Sequence, residues 1–483
     1  MKKTLIITII LISKIVFAVD SGSFDTTFSQ DNITDGWDLL SEAGKSYYGT
    51  SLVLDSQRRI LVAGTYTYGP NNDIGVMVSR YLPSGILDTT FAVSGVYKFP
   101  FHPSAPYKIK VLSNRFNNHL FLGYSFINTD NNSDIAIIHI DNMGSSLEIF
   151  TFGFDKGSSN DRKDDFFENM MIVQDPFIGS GTIVVIAEVE RSEPNDTDFG
   201  IAKIRYESDD TLSLDSTFNG NGKTTCFHDH SGFSQDIPIS IETTEEHRYL
   251  VGGSAFEGNG DDSNGWNLAF CEFSNSGVLL GKFSTKTNTP TVDSREELVD
   301  MVIGSVPTGL YLLTLSKEPQ QVFSLKNDFI VRKYKYDHLN PGTWDVDTLF
   351  SINGMARIGF HDPYLFPAST NDIPSSIFLE NSGNILISGT SYWTVNGNQK
   401  SYISLAKLTK EGSLHLSWGE QQTGKSNITL DSTTYSDQCS AILESYQTED
   451  IYFTGANFNF SENTISSIIV NLNNDLIFKN NFK

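Results

Sequence analysis

Short apolar runs recur along the whole chain, and each is followed, after a polar loop, by a run in which apolar and polar positions alternate. The first set comprises residues 59–67 (RILVAGTYT), 119–127 (HLFLGYSFI), 182–190 (TIVVIAEVE), 248–256 (RYLVGGSAF), 310–316 (LYLLTLS), 384–392 (NILISGTSY) and 450–457 (DIYFTGAN). The second set comprises residues 74–81, 135–141, 199–206, 266–273, 329–336, 402–408 and 465–472. Both sets are rich in β-branched and aromatic residues, which is the chemistry of strands. Further strand-like runs lie upstream, at 50–54, 237–241, 375–379 and 439–443, with a fourth kind before them at 96–99, 223–227 and 355–360. The segment 164–171 is the best helical candidate, and it is too short to count as one.

A small residue closes most of the first runs: Gly64, Gly123, Ala187, Gly253, Thr314, Gly389 and Gly455. Their spacings are 59, 64, 66, 61, 75 and 66 residues, a mean of about 65. Seven units of four strands at that period predict an all-β chain folded as a seven-bladed β-propeller of four-stranded blades. The joints repeat as well. Ser23–Phe28 reads SFDTTF, and 86–91 reads ILDTTF; Asp215-Ser216-Thr217-Phe218 and Asp347-Thr348-Leu349-Phe350 follow, with a decayed copy at 413–418. An Asp followed by Ser or Thr bonds its own backbone and fixes a turn, and the Phe is expected to bury its ring between sheets. Asp25, Asp88, Asp215 and Asp347 are therefore read as turn residues and not as catalytic acids, because catalysis needs one site and these recur.

The wording of residues 60–64 with 73–91, and again of 199–218, resembles the delta-60 repeat family of exported bacterial repeat proteins. The resemblance covers essentially the whole chain after its first 18 residues and fades in the third, fifth and seventh units. It implies a propeller-type β fold and brings no catalytic residue with it. At the ends, residues 475–478 read like the inner strand of a further unit and Ser23–Phe28 like the start of the same unit. Both ends are therefore expected to meet in one blade, leaving no open sheet edge.

Residues 1–18 read as a signal peptide: Lys2 and Lys3, an apolar run, then small residues at Val16 and Ala18. The apolar run is broken by Ser13 and Lys14 and is short for a membrane span. Removing 18 of 483 residues leaves a propeller of residues 19–483, and losing three lysines moves the net charge from −24 to −27. A soluble, monomeric protein in the periplasm or outside the cell is expected. So acidic a chain repels nucleic acid and anionic membrane surfaces. Cys226, Cys271 and Cys439 are an odd set without metal-type spacing, read as small buried hydrophobes with at least one unpaired.

Three candidate chemistries remain. The stretch 419–426 (GEQQTGKS) fits the phosphate-loop pattern, but strand-like residues follow it where a helix is required, so it is rejected. His102, His228 and His361 occupy matching places after strand-like runs, in alternate units. If those runs are innermost, the three imidazoles border the central channel, where a transition metal would draw them together with Asp229 or Asp362. Otherwise they are a strand-end turn copied by duplication. Asp130, Asn132 and Asp134 have the alternate spacing of a calcium loop, yet Ile135 stands where that loop needs glycine, and Asp and Asn are also default hairpin residues. The leading functional expectation is a binding module that meets protein or carbohydrate through its loop face. The alternative is a metal-assisted hydrolase or lyase working in the central funnel.

Overall fold

The computed structural model describes residues 24–472 except 26, 30–35, 101–107, 155–162, 175–180, 192–195, 208, 229–234, 245–246, 258–264, 286–295, 308, 320–326, 338–342, 361–370, 396–397, 420–421, 429, 431–434, 446–449 and 460–463. Seven antiparallel sheets form among the described residues, each a blade. The first blade runs from Tyr47–Leu54 through Ile60–Tyr68 and Asp73–Tyr81 to Val96–Phe99, in that spatial order. The other blades repeat it, starting at Ile109–Ser113, Asp165–Gln174, Asp236–Thr243, Glu297–Val306, Asn371–Leu379 and Tyr435–Glu444. Each of these first strands packs on that of the next blade, and the seventh packs on the first, so the ring closes as a propeller. Among the described residues no helix is long and apolar enough to cross a membrane. The segment 164–171 is not helical but opens the inner strand Asp165–Gln174 of the third blade.

Ring closure uses the N-terminal side of the chain. Trp37–Leu40 pairs with Thr464–Leu472 as the outermost strand of the seventh blade. Phe24 bridges to Leu472, and the Asp25 amide donates to the Asn471 carbonyl at 3.0 Å. The early SFDTTF copy thus belongs to the last blade, where it precedes the outer strand just as the copy at 86–91 precedes Val96–Phe99. Phe28 is buried with Leu52, Val62, Tyr452 and Ile469, sealing the seventh blade against the first. Both ends meeting in one blade was the expectation for 23–28; the proposed inner strand at 475–478 lies outside the described residues.

The joint does not separate units, as its wording suggested. Where it occurs it sits inside a blade, between the third strand and the outermost one; the second and fourth blades turn there without it. The Thr90, Thr217 and Leu349 amides donate to the Oδ1 atoms of Asp88, Asp215 and Asp347 at 3.1, 3.0 and 3.2 Å. Phe91, Phe218, Phe350 and Trp418 are all buried at the blade seams, as the turn reading required. Two of the joint carboxylates also neutralise a buried cation of the third strand: Arg80 Nε lies 2.8 Å from Asp88, and Lys203 Nζ 3.7 Å from Asp215.

The repeated small residue has a physical cause that the sequence alone does not reveal. In six blades the inner strand carries a β-bulge, skipping Thr50, Glu168, Ile239, Val299, Ser375 and Ser440 in its pairing. Gly64 lies opposite the first bulge, and a Cβ there would sit 1.8 Å from the Tyr48 carbonyl oxygen; at Gly455 the Gln438 oxygen is equally close. In the fifth blade the matching residue is Ser316, opposite Leu298, and not Thr314. A bulge re-aims side chains and bends the strand. Here it turns the skipped residues toward the ring axis.

Candidate functional site

The seven inner strands enclose a central funnel of about 740 Å³. All six bulge residues line it, so the device that curves each inner strand also decides which side chains face the funnel. Glu168 is the one ionisable residue among them. Lys108 and Lys110 enter from the second blade, Asn169 from the third and Asp300 from the fifth, with Tyr48 and Tyr66 from the first.

The polar groups of the wall bind blade to blade. Asp300 accepts from Ser240 Oγ at 3.0 Å, from Ser376 Oγ at 3.1 Å and from the Ile377 amide at 3.1 Å, joining the fourth, fifth and sixth blades. Asn169 Nδ2 donates to the Ile239 carbonyl at 3.1 Å. Lys108 Nζ stands 3.4 Å from Glu168 Oε2, with the lysine half-exposed and the glutamate buried. Burial raises the Glu168 carboxyl to about 7 against the pull of Lys108, and neighbouring Glu188 adds to the rise. Burial raises Glu242, which does not line the funnel, to about 8, helped by the charge of Asp300 and opposed by Lys110. Asp300 is raised as well, first by burial, although its backbone and serine donors favour the anion. The funnel therefore holds one carboxyl, Glu168, that titrates near neutral pH, beside two lysines.

The blade order corrects the premise of the predicted histidine circle, that the strands before it are innermost. Val96–Phe99, Lys223–Cys226 and Met355–Ile358, which lead into His102, His228 and His361, are outermost strands and not innermost ones. The reason is that the joint feeds the outer edge, after which the chain crosses to the axis of the next blade. His102 and His361 lie outside the described residues. His228 is buried away from the funnel, with Nε2 3.3 Å from Cys271 Sγ and its ring 5.6 Å from that of Phe199.

Cys226 and Cys271 are joined in a disulfide, which corrects their reading as independent buried hydrophobes; Cys439 is free and buried, its thiol raised to about 11 by burial. The two half-cystines are 45 residues apart in sequence yet face one another across the seam of the third and fourth blades. The calcium-loop candidate is a hairpin turn. Asn128 N–H donates to the Asn132 carbonyl, Asn132 Nδ2 donates to the Lys163 carbonyl at 3.1 Å, and Asp134 accepts from Asn128 Nδ2 at 2.6 Å. Asp130 is exposed on the turn. The side chains of Asn132 and Asp134 are thus directed to different partners. The 419–426 stretch runs into the outer strand Lys425–Ile428 of the sixth blade with no helix after it, and Lys425 Nζ donates to the Gly359 carbonyl.

Sequence reasoning missed the funnel residues because a bulge breaks the period-two pattern that assigns faces. A signal was present: Glu168 stands where the other units place Thr50, Ser375 or Ser440.

No family model matches the chain, and no curated protein does either. Among solved structures the chain is similar to the polysaccharide lyase Uly1, at 11% identity and a TM-score of 0.44 over 89% of this chain and 90% of that one. It is similar to an α-L-arabinanase of Penicillium chrysogenum complexed with arabinobiose, at 9% identity and a TM-score of 0.40 over 78% and 100%. A GH43 β-1,3-galactosidase with galactodeoxynojirimycin follows, at 12% identity and a TM-score of 0.32 over 68% and 98%. At these scores the likenesses carry no statement about chemistry.

Proposed function

We propose that this protein is a binding module that takes a neutral, hydroxyl-rich carbohydrate into its central funnel. One observation carries the reading. A funnel of about 740 Å³ brings hydroxyl, amide, ammonium and carboxyl groups into one space, with tyrosine and isoleucine surfaces between them. That volume lies within the range of ligand sites, and a few placed polar groups on an apolar wall are how such sites orient a ligand. Sugar hydroxyls need donors and acceptors together, and a Glu168 carboxyl half-protonated near pH 7 supplies both. The site is the funnel and not the outer loop face.

The test is calorimetric titration with a panel of neutral and uronic-acid oligosaccharides. At least one neutral member binds, and Lys110→Met with Glu168→Gln weakens it at least about tenfold, roughly the value of one lost hydrogen bond to a charged group. A panel to which the wild-type protein is silent overturns the proposal.

A second reading rests on Glu168 alone. A carboxyl held near 7 beside a lysine is a competent general acid at neutral pH, which suits glycosidic cleavage. Release of new chain ends from a polysaccharide panel, abolished in Glu168→Gln with binding retained, supports it; binding without release removes it.

We further propose that the chain belongs to the delta-60 repeat family and works outside the cytoplasm. The recurring Asp-Thr-Phe joint supports the first, and the Cys226–Cys271 disulfide supports the second, since such bonds persist in oxidising compartments.

A further inference from the structure

The second and third blades meet in a cluster that the funnel does not use. His119 Nδ1 lies 3.1 Å from His139 Nε2 and 3.4 Å from Asp210 Oδ1, and His139 Nε2 lies 3.9 Å from the same oxygen. Three ligand-type atoms from two blades therefore point at one small space. Zinc bonds of about 2.0–2.1 Å in a tetrahedron place neighbouring ligand atoms about 3.3 Å apart, which is the scale of this triangle.

The surroundings fix two of the three groups. His139 is buried, its ring stacked on Phe121 with centroids 4.7 Å apart. Its Nδ1 lies 3.2 Å from the Asp210 main-chain oxygen. A carbonyl can only accept, so the proton of that bond sits on Nδ1 and the Nε2 lone pair faces His119 and the carboxylate. A ligating histidine usually has its other nitrogen held in this way. Burial, together with the neighbouring His119, keeps His139 below the ordinary histidine value, against the pull of Asp210. Asp210 has a φ of 68°, a left-handed conformation that aspartate tolerates in turns. The turn is closed by the Asp210 amide donating to Glu207 and the Glu207 amide donating to Thr211, so one residue supplies both the carbonyl for Nδ1 and the carboxylate for the triangle.

We propose that His119 Nδ1, His139 Nε2 and Asp210 Oδ1 form a site for a zinc-class divalent transition metal that clasps the second blade to the third. Without metal, the Nδ1–H of His119 points at the His139 Nε2 lone pair; metal at this place takes both nitrogens, and the His119 proton moves to its own Nε2. The His119 side chain is 18% exposed and that of Asp210 42%, so the fourth coordination position opens to water. Two imidazoles and one carboxylate suit zinc and its neighbours better than calcium, whose ligands are oxygens. The site is independent of the carbohydrate proposal, because none of its residues lines the funnel.

The experiment uses the full exported chain, untagged, with its disulfide intact, stripped with a chelator and titrated with zinc chloride. Metal analysis and calorimetry are expected to give one equivalent per chain. His119→Ala and Asp210→Asn, both at partly exposed positions that leave the buried ring in place, are expected to weaken zinc at least tenfold while keeping the wild-type circular dichroism. Cobalt(II) in the same site is expected to show the visible absorption of a tetrahedral centre, lost in both variants. Absence of uptake by the wild type, or one equivalent held with unchanged affinity by both variants, overturns the proposal.

Discussion

Two neighbouring seams of the ring are built on opposite principles. Between the third and fourth blades the outer half is covalent: Cys226 and Cys271 are bonded, both fully buried, with His228 packed against Cys271. Between the second and third blades no covalent link is present among the described residues. Titratable groups span that seam at both ends, Lys108 with Glu168 at the funnel and His119 and His139 with Asp210 farther out. The apolar filling is similar, since a cluster of buried side chains crosses each. The difference lies in what can undo the contact, a reductant in one case and protons or metal in the other. Identical repeats can thus be joined differently, because the strands supply the fold while a few side chains at each seam set its response.

The largest expected effect breaks the covalent seam. A disulfide closing a loop of 45 residues restricts the unfolded chain by about 4 kcal/mol on the chain-entropy model. Replacing Cys226 and Cys271 by serine is expected to lower unfolding stability by something approaching that amount in guanidinium titrations. Reduction of the wild type should reproduce the loss. If the double variant unfolds at the same midpoint, the disulfide does not set the strength of this seam.

The next effect is smaller and depends on pH. Glu168 titrates near 7 in the folded protein and near 4.5 when unfolded. Between those values the folded state binds the extra proton, so stability falls as pH rises from about 4.5 and the full cost is reached above the folded value. Glu168→Gln removes this cost, which is already net of the weak attraction to half-exposed Lys108. At pH 8.5 the variant is expected to be more stable than wild type by roughly 3 kcal/mol, and at pH 5 by under about 1 kcal/mol. A variant with the same stability difference at both pH values refutes the protonated-carboxyl account of the funnel.

The contrast also shows what can be read from a chain without coordinates. The seven-fold repeat, the four strands per unit and the turn role of the joint aspartates were legible because they rest on local periodicity and local hydrogen bonds. Phe91 and Phe218 could be assigned to the seams from the sequence for the same reason. The phase of the unit was not legible: the strand after the joint can begin one blade or finish another with the same local pattern. That one ambiguity moved His228 from the channel to the rim. The bulges were equally hidden, since Glu168 in DFFENMMIVQ follows neither a helical nor an alternating pattern once one residue is skipped. His119, His139 and Asp210 span 91 residues, and no spacing rule joins them, because their meeting depends on the register of two separate sheets.

The smallest effect tests whether the outer half of the second seam is weak when no metal is present. In chelator-treated protein the His119 to Asp210 contact is a long one, 3.4 Å, between partly exposed groups. Such pairs contribute at most about 1 kcal/mol, and salt screens them. His119→Ala is therefore expected to shift the unfolding midpoint by well under the change seen on losing the disulfide, and by less still in high salt. Adding zinc should then separate the two proteins: the wild type gains stability with the logarithm of metal concentration, as any ligand of the folded state requires, and the variant does not. If His119→Ala costs as much as the cysteine pair in the absence of metal, the two seams are equally strong and the contrast between them fails. A small cost without metal and a large difference with it would make the second seam the conditional joint of the ring.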